Sequence, residues 1–258
     1  MSQKKLKKEV RPFSVKEQRA ILCERVSFAA SESYKLLRTN LLFSLVDEQG
    51  CRTIGVSSAL QAEGKTTTAI NIAYTLAETG KRVLLMEADM RLPTIAKKMA
   101  LSSKPGLSNV LAGLCTLDDV IQDTGLYDGF KIICAGDIPA NPAELLGSDR
   151  MTRIMEDLST QFDFIVVDLP PINAVADGLV ISRLIQGMVV VVRKDFGIKK
   201  ELAKMMQRLE YLQIKVLGFV MTHGTSDAKK KYKSKYYGYG YGYGYGYGHA
   251  QSIDSTKQ

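Results

Sequence analysis

The sequence predicts an α/β protein with a doubly wound, mainly parallel β-sheet. Short apolar runs rich in β-branched residues recur along the chain, and helical patterns separate them. Several runs are apolar at consecutive positions, as expected for strands buried on both faces of a parallel sheet. Alternating strands and helices with right-handed crossovers form a doubly wound fold. The predicted strands are Thr53–Ser57, Val83–Glu87, Lys131–Ala135, Phe164–Asp168, Met188–Arg193 and Val216–Met221.

Two helices are predicted from apolar stripes. In the stretch KTTTAINIAYTLAETG, residues 65–80, apolar side chains recur every three to four positions, and Gly80 is suited to follow the helix end. The stretch KKELAKMMQRLEYL, residues 199–212, has the same periodicity, and its methionines are expected to pack in the core. Because ligands of doubly wound sheets bind at the carboxyl ends of the strands, the candidate site residues are sought there.

We expect one folded domain, residues 21–224, between a basic flexible segment 1–20 and a disordered Lys/Tyr/Gly-rich tail 225–258. A hydrophobic share of 45% can supply a sizeable core. Part of the net charge of +8 lies in two basic clusters, at 4–11 and 229–235. The simplest interpretation of these clusters is that they are solvated chain ends, and the second is that they attract anionic lipid or an acidic partner. No recognition motif accompanies them, so no specific nucleic-acid partner is expected.

The sequence shows neither a signal-peptide pattern nor an apolar run long enough to span a membrane. Its longest apolar run, MVVVV at Met188–Val192, has the length of a strand. The four cysteines are scattered without metal-like or redox-like spacing, which indicates reduced thiols. We therefore expect a cytoplasmic protein.

A phosphate-binding loop is predicted between the first strand and the helix that follows it. The stretch ALQAEGKTT matches the P-loop pattern, with alanine in the position of the first glycine. In such a loop, backbone N–H groups and a helix N-terminus surround the phosphates, the lysine reaches the β- and γ-phosphates, and the following hydroxyl binds Mg²⁺. The predicted nucleotide-binding residues are Ala59, Leu60, Gln61, Ala62, Glu63, Gly64, Lys65, Thr66 and Thr67.

Three carboxylates follow strands of the same predicted sheet. Glu87 and Asp89 come at the end of the second strand, and Asp168 ends the fourth strand before two prolines. Any one of them is equally well explained as a helix cap or a turn former. Three of them beside a P-loop favour a Mg²⁺–nucleotide site, in which a remaining carboxylate can accept a proton from an attacking hydroxyl.

The stretch KYKSKYYGYGYGYGYGYGHA contains eight of the twelve tyrosines, most of them separated by single glycines. Alternate glycines increase the entropy that folding would remove, and no aliphatic residues are present to form a core, so disorder is predicted. Composition alone leaves two interpretations open. The tail is either a weakly adhesive low-complexity segment or a substrate whose phenolic hydroxyls are exposed for modification.

These motifs resemble those of the bacterial tyrosine kinases, the P-loop autokinases of capsular and exopolysaccharide synthesis, in the form whose membrane activator is a separate polypeptide. The resemblance covers nearly the whole chain and rests on EGKTTTAIN, EADMRLP, VVDLPP, AGDIPANPAELLGSDRM and the tyrosine-rich tail. Four departures are present. Gln61 and Ala62 stand where the family has Pro-Gly, and Glu87 stands where it has its first aspartate. Lys35 stands where arginine is usual, and the stretch GFVMTHG lacks the asparagine that the family has beside the adenine. The stretch SESYKLLRTNLLFS is similar to the family's ring-forming helix.

The resemblance implies a P-loop NTPase fold and an ATP- and Mg²⁺-dependent protein-tyrosine kinase that phosphorylates its own tail in trans within an oligomer. The implied catalytic residues are Lys65, Glu87, Asp89 and Asp168, with Glu87 as the base for the incoming tyrosine. Thr66, Asp89 and Asp168 are the implied Mg²⁺ residues, and Glu32, Lys35 and Arg38 the implied oligomerisation residues. The implied phosphorylation sites are Tyr236, Tyr237, Tyr239, Tyr241, Tyr243, Tyr245 and Tyr247.

The implied partners are sister copies in a ring-shaped homo-oligomer, a transmembrane polysaccharide co-polymerase-like activator and a phosphotyrosine phosphatase. The activator would hold the kinase at the inner face of the plasma membrane. A ParA/MinD-like ATPase that acts as a nucleotide switch is the alternative function. Those proteins have a lysine directly after the first P-loop residue, where this chain has Leu60. A nucleotide-dependent scaffold with an adhesive tail is a third hypothesis.

Overall fold

The computed structural model describes residue 21 and the ranges 26–46, 50–196 and 199–223. These residues form seven β-strands and eight α-helices. The strands are β1 Arg52–Ser58, β2 Val83–Glu87, β3 Gln122–Asp123, β4 Phe130–Ile133, β5 Phe164–Asp168, β6 Gly187–Arg193 and β7 Val216–Thr222. The helices are α1 Phe28–Ser44, α2 Lys65–Ala77, α3 Ile95–Met99, α4 Leu107–Leu111, α5 Pro142–Leu146, α6 Asp149–Gln161, α7 Asp177–Ile181 and α8 Lys199–Tyr211. Among these helices none has both the length and the apolar character needed to cross a membrane. The predicted segment 1–20 and the predicted tail, with every candidate phosphorylation site, lie outside the described residues.

The strands form one sheet in the order β3-β4-β2-β5-β1-β6-β7, and helices cover both faces. All pairings are parallel except that of β3 with β4, so the predicted doubly wound, mainly parallel sheet is confirmed. The six predicted strands are all present, with ends displaced by no more than two residues. The two-residue strand β3 was not predicted, because it is polar and too short to show a periodicity.

The hydrophobic core consists of two layers, one on each side of the sheet. Strand β5 shows the division, since Ile165 and Val167 face one layer while Phe164 and Val166 face the other. All four side chains are buried, and each contributes roughly 1.5–3 kcal/mol relative to an exposed side chain. A strand buried on both faces has no polar alternation, which is why these runs are apolar at consecutive positions.

Two glycines set the position of the chain where it leaves β4. A methyl group on Gly106 would lie 2.3 Å from the backbone N of Gly136, and one on Gly136 would lie 2.5 Å from Oδ1 of Asn109. Gly136 also has φ +88°, a conformation that other residues adopt at a cost. The close backbone approach therefore fixes the segment beyond β4, including the N–H group of Ala135.

The three central strands bring the predicted site residues together. Strand β5 lies between β2 and β1, and in the β2–β5 register Glu87 is opposite Asp168. In the β1–β5 register Asp168 is opposite Val56, two residues before the end of β1. The carboxyl ends of β1, β2 and β5 are therefore adjacent at one edge of the sheet, as the doubly wound topology requires for a ligand site.

Candidate active site

The segment Ala59–Gly64 connects β1 to α2 in a P-loop conformation. Gly64 immediately precedes α2 and has φ +95°, while Ala62 has φ +60°. For alanine this left-handed conformation costs roughly 1–2 kcal/mol, so the loop holds a strained residue at the position where the family has glycine. Gly64 contributes no capping side chain, and the N–H groups of the first turn of α2 face the loop, as phosphate binding requires.

Three side chains brace the P-loop. The buried carboxylate of Glu63 accepts from the backbone N–H of Leu60, with an N–O distance of 2.8 Å. The Arg193 guanidinium at the end of β6 donates to the carbonyl of Ala62 at 3.2 Å, and the Thr222 hydroxyl at the end of β7 donates to the carbonyl of Glu63 at 2.7 Å. Sequence reasoning missed Arg193 and Thr222, since their contacts join positions that are far apart in the chain.

The ammonium group of Lys65 lies between two carboxylates. Its Nζ is 2.7 Å from Oδ2 of Asp89 and 3.8 Å from Oδ1 of Asp168, and all three residues are buried. Burial alone would lower the pKa of Lys65, but the charges of Asp168 and Asp89 outweigh it, and the pKa lies above its usual value. Lys65 is therefore a fixed cation at the N-terminus of α2, where phosphates would lie.

Asp168 is fully buried at the end of β5. Neither of its carboxylate oxygens has a hydrogen-bond partner of good geometry in the described part of the chain. Burial raises the pKa of Asp168, and the nearby Lys65 charge and Thr66 hydroxyl act in the opposite direction. A buried oxygen without a hydrogen bond carries a cost, which a ligand that accepts its lone pairs would relieve.

Glu87 is also buried, but both of its oxygens accept hydrogen bonds. Oε1 accepts from the backbone N–H groups of Thr94 and Ile95, and Oε2 accepts from that of Ala135. Burial raises the pKa of Glu87 to about 7, against the effect of these three bonds. Glu87, which the resemblance implies as the base, therefore lies in the site, and its carboxylate accepts hydrogen bonds from the protein backbone.

The segment between β2 and α3 presents Asp89 and Arg91. Asp89 Oδ1 accepts from the N–H of Leu92 at 3.1 Å, while its Oδ2 faces Lys65. Arg91 donates two hydrogen bonds to the buried carboxylate of Asp177, at 2.7 and 3.1 Å, and so ties the segment to α7. Asp177 was not predicted; an acidic residue in the first turn of a helix has an ordinary capping explanation.

The residues at these strand ends fit a Mg²⁺–nucleotide site. Mg²⁺ prefers oxygen ligands and keeps several waters, so a few protein groups beside a triphosphate suffice. The Thr66 hydroxyl and the Asp168 carboxylate are such groups. The Asp89 carboxylate, which is paired with Lys65, lies close to them. The described residues contain no cluster of three or more His, Cys, Asp or Glu that would hold a metal ion without a nucleotide.

The predicted oligomerisation residues lie on α1. Lys35 is paired with Glu32 at 3.0 Å, and Arg38 donates to the Thr75 carbonyl at 2.7 Å and to Glu78 at 3.0 Å. Arg38 therefore fastens α1 to α2 of its own chain, a contact that the sequence pattern does not reveal.

Comparison with known proteins defines the family. A family model for an AAA domain matches residues 51–215. The tyrosine-protein kinase YwqD of Bacillus subtilis is 36% identical over 191 residues, which cover 74% of this chain and 80% of YwqD. The chain belongs to the bacterial tyrosine kinases. It is a P-loop protein-tyrosine kinase, as predicted.

Two solved structures are similar to the kinase at 30% identity or above. The kinase domain of Escherichia coli tyrosine kinase ETK has a TM-score of 0.70 and 31% identity, covering 84% of this chain and 80% of that one. The chimerical protein CapA2B2 has a TM-score of 0.71 and 30% identity, covering 76% and 84%. The septum site-determining protein MinD of Pyrococcus horikoshii, with a TM-score of 0.58 and 22% identity, shares the fold alone.

The brace on the P-loop gives a first prediction. Thr222→Val keeps the shape of the side chain but removes the hydroxyl that donates to Glu63. Because a neutral hydrogen bond contributes about 1 kcal/mol, the Kd for Mg-ATP should rise about fivefold, measured by calorimetry. Thr79→Val is the control, since its hydroxyl donates to Leu76 near the far end of α2. An unchanged Kd in the Thr222 variant would show that the brace does not shape the loop.

Proposed function

We propose that this kinase transfers the γ-phosphoryl group of ATP to the tyrosines of its own C-terminal tail, in trans within a ring-shaped homo-oligomer. The supporting observation is the Lys65–Asp89–Asp168 cluster beside the P-loop, in a chain whose tail contains seven tyrosines between Tyr236 and Tyr247. A nucleotide site and a set of phenolic acceptors on one polypeptide are the two parts that autophosphorylation requires.

The chemistry needs little beyond placement and charge. The phenolic oxygen forms a bond to the γ-phosphorus, the bond from that phosphorus to the bridging oxygen of ADP breaks, and the phenol loses its proton. Phosphoryl transfer passes through a loose transition state with charge on the equatorial oxygens. Lys65 would stabilise that charge, and the N–H groups of Ala59–Lys65 would hold the phosphates. Thr66 and Asp168 would hold Mg²⁺, with Asp89 at its shell, and the ion would supply further charge neutralisation.

The connection between the core and the tail can span a long distance when it is extended. From Gly224 to Tyr236 a fully extended chain spans roughly 40 Å, at ~3.3 Å per residue. The last described strand, β7, ends at Thr222, and the Thr222 hydroxyl contacts the P-loop. The chain that leads to the tail therefore starts beside the nucleotide site, which makes delivery to an adjacent copy geometrically feasible.

Helix α1 has the features of a contact between copies. Phe28, Leu36 and Phe43 are 81%, 58% and 74% exposed, and the periodicity of the helix places them within a quarter turn of one another. Glu32 lies in the same arc, between two of these apolar side chains. Exposed apolar stripes of this kind mark protein–protein contacts. The resemblance to the family implies that the protein bound there is a second copy of this chain.

The wider role follows from the family. We propose that the kinase regulates capsular or exopolysaccharide synthesis and export, that a separate transmembrane polysaccharide co-polymerase-like protein activates it, and that a phosphotyrosine phosphatase reverses the modification. The activator would recruit the kinase to the inner face of the plasma membrane. These partner assignments are supported by the similarity of the chain to the family and by the tyrosine-rich tail of the chain.

The assignment of the site is tested by substitution. Lys65→Ala or Asp168→Asn should reduce transfer of label from [γ-³²P]ATP to tail tyrosines by at least about a hundredfold, because each removes a charge on which the transition state depends. Lys200→Ala and Asp118→Asn are exposed controls that should label normally. Normal labelling of the first pair would refute these roles, while release of free phosphate without tail labelling by the unaltered protein would favour a MinD-like switch.

Phosphorylation of the tail is predicted to loosen the oligomer. Each phosphotyrosine adds about −1.5 to −2 charges, so several on neighbouring tails repel one another. Mass measurement in solution, at equal protein concentration, should give a smaller assembly for phosphorylated protein than for protein treated with a phosphatase. A variant with all eight tail tyrosines, Tyr232 included, replaced by phenylalanine is the control, and its mass should not change with ATP. Equal masses in both states would contradict the prediction.

A further inference from the structure

The carboxylate of Glu87 closes a loop of the active site. Oε1 accepts from the N–H of Ile95 at 2.7 Å and from the N–H of Thr94, and Oε2 accepts from the N–H of Ala135 at 3.2 Å. A carboxylate offers about four lone-pair directions, of which three are used here. Glu87 is 1% exposed, so these bonds are not shared with bulk water.

The three hydrogen bonds join the end of β2 to the beginning of α3 and to the chain that follows β4. Glu87 directly precedes the segment 88–93, and Thr94 and Ile95 directly follow it. This segment presents Asp89 to Lys65 and Arg91 to Asp177. The third bond attaches the same carboxylate to the chain leaving β4. Glu87 therefore fixes both ends of the segment, and with them the position of Asp89 against the P-loop lysine.

The length of the side chain matters for this arrangement. An aspartate at position 87 would carry its oxygens about 1.5 Å closer to the backbone, the length of one C–C bond. The contact to Ile95 would then exceed the hydrogen-bonding range, as would the contact to Ala135. The extra methylene of glutamate, which distinguishes this chain from the family pattern, is what allows the carboxylate to reach all three donors.

We infer that Glu87 is a positioning residue, which holds the Asp89 segment against Lys65, and that it does not take the proton from the incoming tyrosine. This inference rests on the proposed kinase function. The bonds that form and break are those given above, and the phenolic proton passes to solvent water. A loose transition state makes little demand on a base, so catalysis can proceed without one at Glu87.

Two substitutions at Glu87 give opposite orders of activity for the two roles. Glu87→Gln keeps the length and an oxygen for Thr94 and Ile95, but its amide nitrogen cannot accept from the N–H of Ala135 and it cannot act as a base. Glu87→Asp keeps a basic carboxylate but is too short to reach the three donors. For a positioning residue, Gln should reduce kcat for tail phosphorylation by about tenfold, the equivalent of one hydrogen bond to a charged group, and Asp should reduce it more. For a base, Gln should reduce kcat about a hundredfold or more, and Asp should retain more activity than Gln.

A second measurement on the Gln variant keeps the inference testable even if the Asp variant does not fold. The full chain should be assayed with Mg-ATP for the kcat of tail labelling, and hydrogen exchange should be measured at the backbone amides of residues 94, 95 and 135. We expect these amides to exchange faster than in wild type, together with the modest loss of kcat. Unchanged exchange with a kcat reduced about a hundredfold or more, or a higher kcat for Asp than for Gln, overturns the inference. Absence of tail labelling in the wild-type protein would instead overturn the proposed function.

Discussion

The site is organised around one buried cation. The Lys65 ammonium is held between Asp89 and Asp168, and these groups come from α2, from the segment after β2 and from the end of β5. A lone ammonium in this position would be costly to bury, so the structure requires the carboxylates beside it. The order of the central strands, with β5 between β2 and β1, places all three at one edge of the sheet.

The same charges indicate why the proposed reaction would need a divalent ion. One lysine faces two buried aspartates, and a triphosphate would add further negative charge at the same place. Burial raises the pKa of Asp168, against the effect of the Lys65 charge. A Mg²⁺ ion at Thr66 and Asp168 would restore the balance, since bound cations are the largest local charges in phosphate sites. Hydrogen bonds with the side chains of Glu63, Arg193 and Thr222 hold the P-loop backbone.

The central sheet and the P-loop could be predicted because their signals are local. Strands such as β5 and β2 are buried on both faces and appear as unbroken apolar runs, and the P-loop pattern lies between a strand and an amphipathic helix. Strand β3 could not be predicted, because its pairing with β4 and not its own composition makes it a strand. The partners of the site residues were missed for a similar reason: Thr222 reaches Glu63, and Arg91 reaches Asp177, across long stretches of sequence.

The fold is shared with the septum site-determining protein MinD, so the fold does not identify the reaction. The central claim is that the phosphoryl group goes to the tail of a sister copy. An active chain whose eight tail tyrosines, Tyr232 and the seven between Tyr236 and Tyr247, are replaced by phenylalanine should be mixed with a Lys65→Ala chain that keeps its tyrosines, and given Mg²⁺ and labelled ATP. The account predicts phosphotyrosine on the tail of the Lys65→Ala chain, identified by mass spectrometry and absent when either chain is alone. A mixture in which those tyrosines stay unmodified, while the wild-type chain labels its own tail, would contradict transfer between copies.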